Sequence, residues 1–187
     1  MKKYWENALT FDEYVKVSEE RAADKSDENR EFHEYYELGL HRLLRTLKTF
    51  KQDPAQVEML KSKNFDGKLL IISEPWCGDA SATVPAVSKF FEAVGVQVRI
   101  FLRDSDVSLI DQYLTNGTQS IPKILILNAD DEVKAVWGPR PAYGNQLLKK
   151  FKENPETYPR EEFYNDLQVY YAKNRGYDAI QEIITLL

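Results

Sequence analysis

Three short runs rich in branched apolar residues, Leu69 to Ser73, Val96 to Leu102 and Ile124 to Leu127, alternate with helical patterns along the middle of the chain. Runs of this length suit strands buried on both faces, and a helix between two of them is what a parallel βαβ crossover requires. In the segment joining the first two runs, Ala80, Val84, Val87, Phe91 and Val94 fall on one helical face, and Gly95 stands where a left-handed cap belongs. Ser108 to Leu114 reads as a second, short helix, ended by Asn116-Gly117. Asn128 to Asp131 can turn the third run back into Glu132 to Trp137 as an antiparallel hairpin, and Pro139 and Pro141 stop that strand. The expected fold class is therefore α/β, a sandwich around a central sheet of about four strands.

Both flanks read as helix. Thr10-Phe-Asp-Glu13 has the form of a capping box, in which a hydroxyl and a carboxylate satisfy two otherwise unpaired helix-start donors. A charged break spans Ala23 to Asp27. From Glu28 to about Phe50 the residues Phe32, Tyr36, Leu40, Leu43, Leu47 and Phe50 recur at steps of three and four, placing them on one stripe. Asp53-Pro54 opens a shorter helix, closed by a turn at Asn64 to Gly67. Beyond the hairpin, Gln146 to Phe151, Pro159 to Tyr171 and Tyr177 to Leu187 are helical in pattern. The expected organisation is an N-terminal helical extension over 1–53, an α/β domain over 54–152, and a C-terminal helical extension over 153–187 packed on it.

Composition narrows the chemistry. Lys and Arg number 25 against 30 Asp and Glu, a formal charge of -5, with no basic block, so no nucleic-acid partner is expected. The apolar runs are far shorter than the roughly 20 residues a spanning helix needs, and Met1 to Glu6 leads into polar residues, so no membrane association and a cytoplasmic location are expected. His33, Glu37 and His41 share a helix face, but no further ligand is visible and only two histidines exist, so neither a metal nor any other cofactor is expected. No histidine is placed beside Asp79, Ser81 or Thr83 to form a hydrolytic triad, and no glycine-rich phosphate cradle occurs. The tyrosine-rich tail is explained most simply by packing on the centre.

Cys77 is the one cysteine, which excludes an intrachain disulfide and makes any redox chemistry intermolecular. In Ser73-Glu-Pro-Trp-Cys-Gly-Asp-Ala80 it falls where a strand ends and a helix begins, so its sulfur would face unpaired helix N–H groups that favour a thiolate. Trp76 can shield it and Gly78 leaves room for another chain. Asp79 acts in the opposite sense, because a nearby carboxylate disfavours thiol ionisation. The bland alternative is a small buried residue.

Here the sequence resembles the thioredoxin family. The resemblance rests on Trp76-Cys77-Gly78 at the strand-to-helix turn, Pro85 eight residues after the cysteine, Ile121-Pro122 before the next strand, and Gly138 after the last. It implies a thioredoxin-like α/β sandwich over roughly residues 54 to 152, a cis bond before Pro122, and a glycine at 138 that lets substrate backbone lie close. The family's first strand has no counterpart, so four strands are expected, with the helix around Leu40 to Phe50 covering the open edge.

Three departures bear on function. Asp79 and Ala80 stand where the family has its motif proline and resolving cysteine, and Ile71 where it has a buried aspartate. A lone thiol can form a mixed disulfide but needs an external thiol for release. The leading expectation is accordingly a single-cysteine thiol-disulfide oxidoreductase with Cys77 as nucleophile and a protein or small thiol or disulfide as substrate. The alternative is a non-catalytic peptide-binding module. In either case Trp76, Gly78, Asp79, Ile121, Pro122 and Gly138 would bind the partner, with Trp137 adding a groove wall and Arg140 and Lys123 read as solvated charges.

Overall fold

The computed structural model describes residues 1–26 and 31–187. Glu28, where the helical stripe begins, and Asp27, the last residue of the charged break, lie outside them. The described residues form α1 (Lys2–Glu6), α2 (Phe11–Ala23), α3 (His33–Thr49), α4 (Pro54–Ser62), β1 (Lys68–Ser73), α5 (Gly78–Ala93), β2 (Gln97–Leu102), β3 (Lys123–Leu127), β4 (Val133–Trp137), α6 (Ala142–Glu153), α7 (Arg160–Asn174) and α8 (Tyr177–Leu186). The sheet has four strands in the order β2-β1-β3-β4. β1 and β2 are parallel, joined across α5, while β3 runs antiparallel to β1 and pairs with β4 in a hairpin.

The apolar runs dictate this centre. Leu69 to Ile72 and Ile124 to Leu127 are almost wholly buried, as central strands covered on both faces must be. α5 is buried on nearly every side because it touches β1 and β2, α3 and α8. The turn from β3 is closed by Asp131 at positive φ, and the Asn128 side chain accepts N–H bonds from Asp130 and Glu132.

At the β2 edge the structure departs from expectation. α3 packs on α5 and α2, not on the open edge. The edge is closed by Leu9, which exchanges both backbone hydrogen bonds with Ile100 at 2.8 Å. Pairing stops after one residue because the Thr10 cap starts α2 at once: Thr10 N–H donates to Glu13 Oε2 at 2.7 Å, and Glu13 N–H donates to Thr10 Oγ1. α1 extends the cover, with Tyr4 edge-on to Phe101 and Arg99 donating to the Trp5 carbonyl.

Two smaller differences follow the same logic of packing over pattern. In Ser108 to Leu114 only Ile110–Gln112 is helical, as a single 3₁₀ turn, and Asn116-Gly117 forms a tight turn with both residues at positive φ. In α3 the buried line runs through Tyr36, Gly39, Leu43 and Thr46, leaving Phe32 39% exposed. Gly39 belongs to that line because a Cβ there would strike the Pro75 carbonyl oxygen, so its absence lets α3 lie against the turn that carries Cys77.

A cleft over the Cys77 turn as candidate functional site

β1 ends at Ser73, and Glu74-Pro75-Trp76 turns the chain so that Cys77 becomes the N-cap of α5. Above this turn lies a cleft of about 1270 Å³. Its floor is Trp76, Cys77, Gly78 and Ile121. One wall is α3, through Tyr35, Leu38 and Arg42, with Phe32 at its N-cap, and the other is α7, through Arg160, Tyr164 and Gln168. Both helical flanks of the chain thus supply the walls, while the turn supplies the floor.

Cys77 is 7% exposed, and its thiol donates to the Ile121 carbonyl at 3.5 Å. Burial pushes the thiol up to about 12, and the Asp79 carboxylate adds to the rise. The backbone N–H groups of Ala80 and Asp79 and the charge of Arg140 act against it without prevailing. The opposition between helix terminus and Asp79, legible in the sequence, is therefore decided by desolvation.

Asp79 turns inward. Arg140 Nη2 lies 2.6 Å from its Oδ2, and the Tyr171 hydroxyl donates to its Oδ1 at 2.7 Å. Burial raises the Asp79 carboxyl, and the Arg140 guanidinium and Tyr171 hydroxyl oppose that rise. Arg140 is thus a half-buried ion-pair partner, not a solvated charge, because it turns in to Asp79, which Tyr171 of α7 also engages. Lys123 is also buried, 6% exposed, and donates to the Gly138 carbonyl, which corrects its reading as a surface charge.

The remaining expected site residues separate. The Ile121–Pro122 and Gly138–Pro139 bonds are both cis. Ile121 faces the cleft, whereas Pro122 and Gly138 do not line it. Gly138, at φ +114°, has no room for a Cβ because the Pro122 carbonyl oxygen packs there, so the close approach it permits is within the chain. Trp137 is buried and donates its indole N–H to Glu182 Oε2 at 2.7 Å, which ties β4 to α8 and removes it from the groove. Among the described residues no three His, Cys, Asp or Glu side chains gather as a metal site, and no helix is long and apolar enough to cross a membrane.

Trp76 is held on three sides. Its indole donates to Asp104 at 3.1 Å, Arg103 lies 4.9 Å over its ring, and Phe32 stacks at 5.6 Å in a tilted geometry. Behind it, Glu74 is 5% exposed and accepts the Asp104 N–H at 2.7 Å. Burial pushes the Glu74 carboxyl up to about 7 from its ordinary 4.5, despite that hydrogen bond. A carboxyl raised on folding is bound to its proton more tightly in the native state, so its contribution is fully present below pH 4.5 and lost as the pH rises to about 7. The loss amounts to roughly 3 kcal/mol at 1.36 kcal/mol per pKa unit. Glu74→Gln keeps an acceptor for Asp104 and is expected to flatten the decline in urea-unfolding free energy between pH 4.5 and 8; an unchanged decline would assign it to another group.

Sequence pattern did not reveal the walls. Tyr35, Leu38 and Arg42 lie off the apolar stripe of α3, Tyr164 belongs to the tyrosine-rich tail that packing explains, and Gln168 carries no signal of its own; the available signal is apolar residues, Tyr35 and Leu38, on an otherwise polar helix face.

Comparison with known proteins agrees with this architecture. A family model described as thioredoxin matches residues 26–152, which takes in α3 as well as the sheet. The crystal structure of an HIV epitope-scaffold superposes with a TM-score of 0.65 at 15% identity, covering 99% of this chain and 95% of the other. The structure of a protein of unknown function from Pseudomonas aeruginosa superposes with a TM-score of 0.56 at 16% identity, covering 96% and 91%. At these identities the likeness is one of fold, and it runs through both helical flanks. No curated protein matches the chain.

Proposed function

The chain belongs to the thioredoxin family, and from that premise we propose that it is a thioredoxin-fold binding module that seats an extended peptide in the cleft over the Trp76-Cys77-Gly78 turn. The observation that carries this reading is the cleft itself, walled by α3 and α7 directly above that turn. Ile121 lines it, and its backbone N–H donates to no backbone carbonyl among the described residues, which suits pairing with an extended chain. Trp76, Phe32, Tyr35 and Tyr164 offer aromatic surface for side chains. On this reading Cys77 is a hydrogen-bond donor that anchors the turn to Ile121.

A positional-scanning hexapeptide array probed with the purified protein tests the module. The native protein and Cys77→Ser are expected to retain the same peptides, and Trp76→Ala and Tyr164→Ala to lose them. Loss of binding in Cys77→Ser alone would refute the reading.

A second reading has one observation in its favour. The sulfur sits on the cleft floor with the N–H groups of Asp79 and Ala80 directed at it, so an ionised Cys77 could attack a disulfide, form a mixed disulfide and expel the other sulfur as a thiolate, with an external thiol later releasing the product. The buried, protonated thiol weighs against it.

A further inference from the structure

The cleft is lined by four arginines, Arg42, Arg103, Arg140 and Arg160, against three carboxylates, Glu31, Asp79 and Glu161. Arg140 is engaged by Asp79 and Arg103 by Asp104, and Arg160 donates to the Tyr164 hydroxyl. Arg42 is different. It is partly withdrawn from water; its burial and Arg45 work against its charge, the Asp79 carboxylate favours that charge from a longer range, and among the described residues no carboxylate lies within ion-pair distance of it. Its Nη1 stands 3.4 Å from the place a Gly78 Cβ would occupy, ordinary contact distance, so the guanidinium lies directly against the floor of the cleft that both residues line. A guanidinium carries five donors, and one left unpartnered in a half-buried position is compensated best by a carboxylate, which it can grip with two parallel hydrogen bonds.

We infer that the occupant of the cleft is an acidic peptide whose Asp or Glu side chain docks on Arg42 above Gly78 while its backbone runs past Ile121. This deepens, and rests on, the peptide-binding reading above. The cleft, at about 1270 Å³, exceeds the roughly 300–1,000 Å³ of sites shaped for small molecules. The same cleft is lined by aromatic side chains and by Ile121, whose N–H has no backbone acceptor among the described residues, a combination that fits a chain of several residues better than an isolated anion.

The same hexapeptide array, read position by position, tests the inference. Asp and Glu are expected to be enriched at one position, and replacing that residue by Asn or Gln in a synthetic peptide to weaken binding about tenfold, the size of one charge-assisted hydrogen bond. Arg42→Gln is expected to erase the difference between the acidic and amide peptides, and Arg42→Lys to retain part of it. Peptides bound without acidic preference, or a preference that survives Arg42→Gln, would overturn the inference and leave the module standing. An array that retains nothing overturns both. Should Arg42→Gln lose its near-UV circular dichroism, the comparison of acidic and amide peptides on the native protein and Arg42→Lys still decides.

Discussion

Iodoacetamide is expected to label Cys77 in the folded protein roughly a hundredfold more slowly at pH 7.5 than in denaturant. With the thiol at about 12, against about 8.5 when free, the thiolate fraction falls by about three orders of magnitude, and the greater nucleophilicity of a more basic thiolate returns somewhat more than one of them. Burial of the sulfur, 7% exposed and held to the Ile121 carbonyl, slows access further. The pH profile of the native rate is the discriminating measurement. A rate that climbs through pH 10 without a plateau supports a protonated structural thiol. Fast native labelling with a midpoint below about 7.5, within the activated range, would move the assignment to disulfide exchange through Cys77.

Arg140→Ala is expected to cost about 3–5 kcal/mol of folding free energy, read as a lower urea midpoint, because it leaves the Asp79 carboxylate buried with the Tyr171 hydroxyl as its hydrogen-bond partner and the Arg42 charge acting only from a longer range. Removing both charges together, as Arg140→Met with Asp79→Asn, is expected to recover much of that loss, since the burial of two charges costs nearly what their pairing returns. Tyr171→Phe removes one hydrogen bond to a charged group and is expected to cost about 1.5–3 kcal/mol. A cost for Arg140→Ala below about 1 kcal/mol would mean a solvated pair of the surface kind. The pair joins the start of α5 to the segment after β4, and Tyr171 brings in α7, so the test also measures how firmly the C-terminal helices hold the floor of the cleft.

The sheet was legible because its signals are local. Runs such as Leu69 to Ile72 can be satisfied only by burial on both faces, and the Asn128 to Asp131 turn needs no distant partner. Most of the α-helices were equally readable, from the Thr10 cap to the Tyr177 start, the exception being Ser108 to Leu114, where a helix is expected and a single 3₁₀ turn forms. Arrangement was not. That Leu9, and not Leu40 to Phe50, covers the β2 edge depends on where a cap ends an extended residue, a competition between two hydrogen-bonding patterns one residue apart. The turn bearing Cys77 was found by its residue types, yet the state of the sulfur depends on desolvation by neighbours far apart in sequence. Arg140 and Lys123 read as solvated for the same reason: a charge has no visible partner in sequence, and here Arg140 turns in to Asp79 while Lys123 turns in to the Gly138 carbonyl.

The division of the cleft between floor and walls separates residues that the fold holds in place from residues that it leaves exposed. Tyr35, Leu38 and Tyr164 are 59%, 45% and 44% exposed, so replacing them disturbs little packing. The Cys77 turn, Asp79 and Gly39, by contrast, are fixed by contacts on which the fold depends. On the peptide-binding reading proposed above, a lineage carrying this scaffold can therefore exchange its clients through a few outward-facing side chains on α3 and α7, drifting in preference while the sheet beneath stays as it is.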